Sequence, residues 1–212
     1  MNNILVISPH PDDEAIGCGG TLRKHILDGD IVEVIFLTSG EKGGHGTSEK
    51  ETIMTRETES NAAQGILQIN KIEFWREPDG AFQATEINIA RLRENVETLQ
   101  PNIIYVPHEG EQHPDHQAAA LLVRRTVNVL NNNIEKPVVW MYEVWTPLQT
   151  MDHIVDISAF VDIKRSAIQA YKSQCAVMKF DEAILGLNRY RGEMHSWPGG
   201  EYAEVFEEMK LS

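Results

Sequence analysis

Short apolar, β-branched runs alternate along this chain with segments of helical period, and that alternation limits its fold more than any other feature. Ile4-Leu5-Val6-Ile7, Ile31-Val32-Glu33-Val34-Ile35-Phe36-Leu37, Lys71-Ile72-Glu73-Phe74-Trp75 and Ile103-Ile104-Tyr105-Val106 read as strands. Helical segments fall between them, at Leu22 to Leu27, Thr52 to Leu67 and Glu86 to Leu99; in the last, Ile89, Leu92, Val96 and Leu99 share one face. Val138 to Tyr142 and His153 to Ile157 are further strand candidates, and a helix from about Val161 to Ser173 is expected to close the regular part. The stretch from Glu41 to Glu51 is polar and glycine-rich and reads as a mobile surface loop. Strands separated by helices build a mainly parallel sheet with helices on both faces, so the expected class is α/β in three layers.

The 212 residues suit one domain, 1–212, because no repeat, low-complexity tract or linker divides them. Cys18 and Cys175 are too few for a disulfide framework and fit a reducing cytoplasm, the expected location. No early stretch has the form of a signal peptide, and no window approaches the roughly 20 apolar residues of a membrane span. A net charge of −13 argues against nucleic acid as the partner.

The chemistry concentrates at two strand ends. His10-Pro11-Asp12-Asp13-Glu14 follows the first strand directly, and His108, His113, Asp115 and His116 follow Ile103–Val106. Ligands of open α/β sheets bind at the carboxyl ends of the strands. Burying so much acid there costs several kcal/mol unless a cation offsets it. Two acid–imidazole clusters on one sheet therefore point to a metal. A catalytic zinc takes three N or O ligands, which His10, Asp13 and His116 can supply, although other divalent transition metals suit the same donors. Asp12 would then be free to take a proton from water, and His113 to stabilise an oxyanion with Asp115 holding its tautomer. Spacing alone leaves these roles open.

At these residues the chain resembles the LmbE-like, or PIG-L-type, zinc-dependent de-N-acetylases. The carriers are His10-Pro11-Asp12-Asp13-Glu14 with the glycines after it, Arg56-x-x-Glu59, Pro78-Asp79-Gly80, His113-Pro114-Asp115-His116 and Tyr202-Ala203-Glu204-Val205-Phe206. The resemblance spans nearly the whole chain. It implies a Rossmann-like fold and hydrolysis of the N-acetyl group of an N-acetylglucosamine-type sugar or conjugate, a small-molecule substrate. By position it implies zinc on His10, Asp13 and His116, Asp12 as general base, His113 as oxyanion donor and Asp115 as the carboxylate partner of His113. The chain departs from the pattern at Glu111, where relatives often carry aspartate and some tyrosine, so no tyrosine is assigned to the oxyanion. It departs again at Gln68, where glycine is common and only packing is expected to differ.

Other residues carry two readings. Arg56 is read as a substrate clamp, with pairing to Glu59 as the alternative; Asp79 binds sugar hydroxyls or makes a turn before Gly80. Glu14 is read as a helix-start charge, His108 as structural, His195 and Trp197 as an exposed loop, and Cys18 as a small buried side chain. Two rival functions stand: an amidase acting on another amide, such as a thiol conjugate, and a nucleotide-binding Rossmann module built on Gly17-Cys18-Gly19-Gly20. The glycine run lacks the full dinucleotide spacing. A homo-oligomer is compatible with all three.

Overall fold

The computed structural model describes residues 1–131, 133–195 and 200–211. In chain order the elements are β1 (Asn3–Ser8), α1 (Asp13–Leu27), β2 (Ile31–Thr38), α2 (Glu49–Leu67), β3 (Lys71–Glu77), α3 (Glu86–Leu99), β4 (Ile103–Pro107), α4 (Pro114–Asn128), β5 (Val138–Tyr142), β6 (His153–Asp156), α5 (Val161–Ala170), α6 (Lys172–Cys175), α7 (Phe180–His195) and β7 (Ala203–Glu208). One sheet holds all seven strands in the order β3-β2-β1-β4-β5-β7-β6. β1 to β5 pair in parallel, and β7 runs antiparallel to both β5 and β6.

Strand alternation sorts the core into two layers. Ile4, Val6, Val34 and Phe36 pack on one face with Leu22, Leu67 and Ile168 from α1, α2 and α5. Leu5, Ile7, Ile35 and Leu37 pack on the other with Leu92, Val96, Leu122 and Val123 from α3 and α4. The α/β three-layer expectation holds. Because β1 lies between β2 and β4, the order reverses there, and the loops after β1 and β4 meet at the sheet's carboxyl edge. Both acid–imidazole clusters lie on those loops and the first turns of the helices that follow, α1 and α4.

Four expectations change. The regular part extends past residue 173, through α7 and β7. The loop expected to Glu51 ends earlier, because Ser48 and Glu51 form a reciprocal capping box that starts α2 at Glu49. The helix expected over 161–173 breaks at Tyr171 (φ −80°, ψ 63°) into α5 and α6. Gln68 closes α2 with φ 61°, so the glycine preference there is conformational rather than a matter of packing.

The glycines of α1 serve close packing. A Cβ at Gly17 would overlap the Tyr142 ring, and one at Gly20 would meet Ile157. Helical dihedrals lapse at Cys18, where a buried ion pair enters the helix. Lys164 Nζ donates to Ile16 O at 2.7 Å and lies 2.6 Å from Glu204 Oε1; Glu204 in turn accepts from Gly20 N at 2.9 Å and Thr21 N at 2.7 Å. Those amides are engaged by a carboxylate, so the glycine run forms no phosphate cradle. Among the described residues no helix is long and apolar enough to cross a membrane.

Candidate active site

The loop after β1 is pinned before it reaches the site. Thr38 donates from its N–H and its hydroxyl to Pro9 O, each at 3.0 Å, and Ser8 Oγ donates to His10 O at 2.8 Å. Asp12 then takes φ 120°, a region that L-residues rarely occupy. Its N–H donates to Glu14 Oε2 at 3.2 Å, and its Oδ2 lies 2.9 Å from Arg56 NH2. Arg56 also donates to Pro11 O and to Gly40 O, so one buried guanidinium braces the whole turn. On the other loop, Pro114 opens α4 and His113 caps it, its Nδ1 accepting from Asp115 N at 3.2 Å.

Folding the two loops together brings three donor atoms to one point. His10 Nδ1 is 3.2 Å from Asp13 Oδ2, His116 Nε2 is 3.2 Å from the same oxygen, and the two nitrogens are 3.3 Å apart. Tetrahedral N/O ligands at zinc distances would stand about 3.4 Å from one another. The triangle therefore fits a zinc-sized ion. On the far side of its ring, His10 Nε2 lies 3.1 Å from Asp115 Oδ2 and 3.2 Å from Asp79 Oδ1. Its proton belongs on Nε2, which leaves the Nδ1 lone pair for a cation. His113 borders the same centre, since His10, His113 and His116 offer nitrogens within 4.8 Å of one another.

Charge in the site is unbalanced toward acid. Burial alone would disfavour a charged His10, yet hydrogen bonds to Asp115, Asp13 and Asp79 raise its pKa well above the ordinary value. Asp13 is held far below the carboxylate range: burial opposes ionisation, but His116 and His10 outweigh it. Burial lifts Asp12 to about 7 against the pull of Arg56. Asp79 stays at about 2, its burial overcome mainly by His10. His113 is shifted down, by burial and then by the neighbouring His10 and His116. A neutral His113 with an accepting Nδ1 carries its proton on Nε2 and is a donor there.

A cavity of about 350 Å³ opens on this cluster, and His10, Asp12, Asp13, Arg56, Asp79 and His113 all line it. Lys42 and His45 add cationic or polar lining, while Trp145, Val177, Met178 and Phe180 add an apolar part. Trp145 and Phe180 meet edge to face at 5.6 Å.

The eight residues singled out from the sequence thus come together, but three make different contacts from those expected. Asp115 is not the partner of His113: its carboxylate takes His10 Nε2, Gly80 N at 2.7 Å and Phe82 N at 3.1 Å. Arg56 engages Asp12 rather than Glu59, whose carboxylate accepts from Ser173 N and Oγ, each at 2.7 Å. Asp79 is held by His10 and by Lys42 N at 2.9 Å. Glu14 does more than start a helix: Tyr171 OH donates to its Oε1 at 2.6 Å, and burial pushes its pKa up to about 8.

His108 braces the loop, with Nε2 2.7 Å from Thr146 O. Cys18 is buried and its thiol is pushed well above its ordinary pKa, so it is no nucleophile. His195 ends α7 against Tyr190, and Trp197 lies outside the described residues. The sequence reading missed Tyr171 and the apolar lining, which no local motif marks.

The family model described as PIG-L, GlcNAc-PI de-N-acetylase, matches residues 5–127. A diacetylchitobiose deacetylase from Thermococcus kodakarensis is 30% identical over 200 residues, covering 82% of this chain and 70% of its own. A conserved protein from Thermus thermophilus superimposes with a TM-score of 0.86 at 32% identity, over 100% of this chain and 96% of its own. A 4-carboxy-2-hydroxymuconate hydratase from Pseudomonas putida reaches the same TM-score of 0.86 at 22% identity, over 100% of this chain and 98% of its own. At that identity the likeness is one of fold alone.

Proposed function

Because the chain belongs to the PIG-L family of GlcNAc-PI de-N-acetylases, we propose a division of labour for the deacetylation it carries out. The enzyme is a metal-dependent hydrolase of the amide C–N bond of an N-acetylglucosamine-type sugar or its conjugate. The observation that carries the residue roles is the triangle of His10 Nδ1, Asp13 Oδ2 and His116 Nε2, with edges of 3.2, 3.2 and 3.3 Å, beside Asp12 in the cavity.

In this reading His10, Asp13 and His116 hold a zinc ion. When bound, it supplies Lewis acidity and acidifies water toward neutrality. Asp12 is tied to Arg56 through Oδ2, so Oδ1 takes the proton of the attacking water. His113 donates from Nε2 to the oxygen that gains charge, worth roughly 3 kcal/mol for one such donor. Asp79 and Asp115 fix the His10 ring, and Arg56 holds the base; sugar hydroxyls meet the remaining lining. All three donors come from one chain. The free Cys18 and Cys175 suit the reducing cytoplasm as its setting.

The test is an amine-release assay over N-acetylated monosaccharides, chitobiose, glycosides and N-acylated thiol conjugates, with metal analysis of the purified protein. About one zinc per chain and release from N-acetylglucosamine compounds are expected. Asp12→Asn should keep the metal and lose turnover by at least 100-fold, and His116→Ala should lose the metal. Full activity in Asp12→Asn would remove Asp12 as the base.

A further inference from the structure

Two buried polar atoms beside the donor triangle lack partners, and they face each other. His116 Nδ1 and Glu111 Oε2 are both without a hydrogen bond among the described residues, both side chains have 0% exposure, and the atoms lie 4.0 Å apart. Bulk solvent reaches neither. The other oxygen of Glu111 is fully engaged: Oε1 accepts from Val144 N at 2.7 Å, Trp145 N at 2.9 Å and Thr146 N at 3.3 Å. Those three amides fix the carboxylate plane, and Oε2 is left toward His116.

A ligating imidazole has a fixed tautomer. If Nε2 gives its lone pair to a cation, the neutral ring must carry its proton on Nδ1. A buried N–H needs an acceptor, and ligating histidines ordinarily find a carboxylate or carbonyl for it. His10 has Asp115 and Asp79 in that role. For His116 the open acceptor is Glu111 Oε2.

We propose that Glu111 is a positioning residue for the metal site: it accepts the Nδ1 proton of His116, and through Oε1 it ties that ligand to the loop carrying Trp145. The inference rests on His116 being a ligand. A purely structural Glu111 would brace residues 144–146 and nothing more. The two roles separate in Glu111→Gln. An amide oxygen can still accept from the three backbone N–H groups, but the amide nitrogen would then confront the Nδ1 proton of His116, donor against donor.

The experiment is a cobalt(II) and zinc titration of apo wild type, Glu111→Gln, Asp12→Asn and His116→Ala, with the thermal midpoint of each apo protein. Glu111→Gln should weaken metal binding by about 10- to 100-fold with the apo midpoint close to wild type, and the cobalt absorption bands should shift. Asp12→Asn should bind like wild type. A metal Kd in Glu111→Gln within twofold of wild type overturns the proposal. If Glu111→Gln does not fold, nitrogen-15 spectra of wild-type His116 decide: a protected, downfield Nδ1 proton in the loaded protein supports the pairing, and a ring protonated at Nε2 overturns it. Metal binding retained by His116→Ala would instead overturn the ligand assignment itself, which keeps the two failures apart.

Discussion

At Asp12 backbone strain coincides with the side chain proposed as the general base. Its φ of 120° is held by its own N–H on Glu14 and by Arg56 on its carboxylate and on Pro11 O. Strain of this kind persists only where surrounding contacts over-determine it. Tyr171 completes the set from the break between α5 and α6, since its hydroxyl orients Glu14 at 2.6 Å. Tyr171→Phe should therefore act at second hand on Asp12, the proposed base. Loss of a buried donor destabilises by about 1–3 kcal/mol, and a base displaced by a fraction of an ångström lowers kcat by about 10-fold, within the range known for small misplacements. The metal Kd should stay unchanged, because none of the three donors touches Tyr171. Steady-state kinetics and a metal titration on the same preparation check this; an unaltered kcat would show that Glu14 and Tyr171 only fill space.

At the scale of elements, α1 presents Asp13 and Glu14 from its first turn, and what fixes α1 is the buried pair Lys164–Glu204. The pair reaches α1 from α5 and β7, and both side chains have 0% exposure. Removing one member leaves an uncompensated buried charge, a loss of about 3–5 kcal/mol. Lys164→Met should show a fall of that size in denaturant unfolding, and Lys164→Met with Glu204→Gln should recover much of it, because a glutamine oxygen still accepts from Gly20 and Thr21 N–H. A single variant as stable as wild type would mean that the pair is dispensable.

The same elements show what sequence patterning could reveal. α3 falls where apolar period places it, Glu86–Leu99, because its buried face is Ile89, Leu92 and Val96. α7 escaped because its buried positions are Leu185, Asn188, Arg191 and Gly192, a mostly polar face with no apolar stripe. Arg191 there pairs with buried Glu143 at 2.7 Å, a partner 48 residues away. β7, Ala-Glu-Val-Phe-Glu-Glu, is half acidic, and its Glu204 is buried where Lys164 and the Gly20 and Thr21 amides meet it. At the site, the acid and imidazole side chains and their strand-end placement were legible in two short motifs. The cross-links between distant segments were not: His10 to Asp79 and Asp115, and Arg56 to Asp12, depend on which strand ends become neighbours.

For the whole molecule, the consequence is that the sheet edge is built around a charge deficit. Asp12, Asp13, Asp79, Asp115 and Glu111 are all buried near the meeting of the β1 and β4 loops, with Arg56 the permanent cation among them. Bringing like charges together there opposes folding, and a divalent cation held by the native state alone offsets it. Its contribution follows mass action: free metal at 100 times Kd stabilises by about 2.7 kcal/mol. For a chain in the 150–250-residue range each kcal/mol moves Tm by roughly 2–4 °C, so chelation should lower Tm by about 5–11 °C. Adding zinc back should restore it. The dependence should survive in Asp12→Asn, which leaves the donor triangle whole, and vanish in His116→Ala. A scan of the three proteins with chelator and with excess zinc measures all of this at once. A wild-type Tm indifferent to chelation, in protein shown to contain the metal beforehand, would mean that the acidic edge is balanced by the protons on His10 and Asp12 and that the metal adds nothing to the fold.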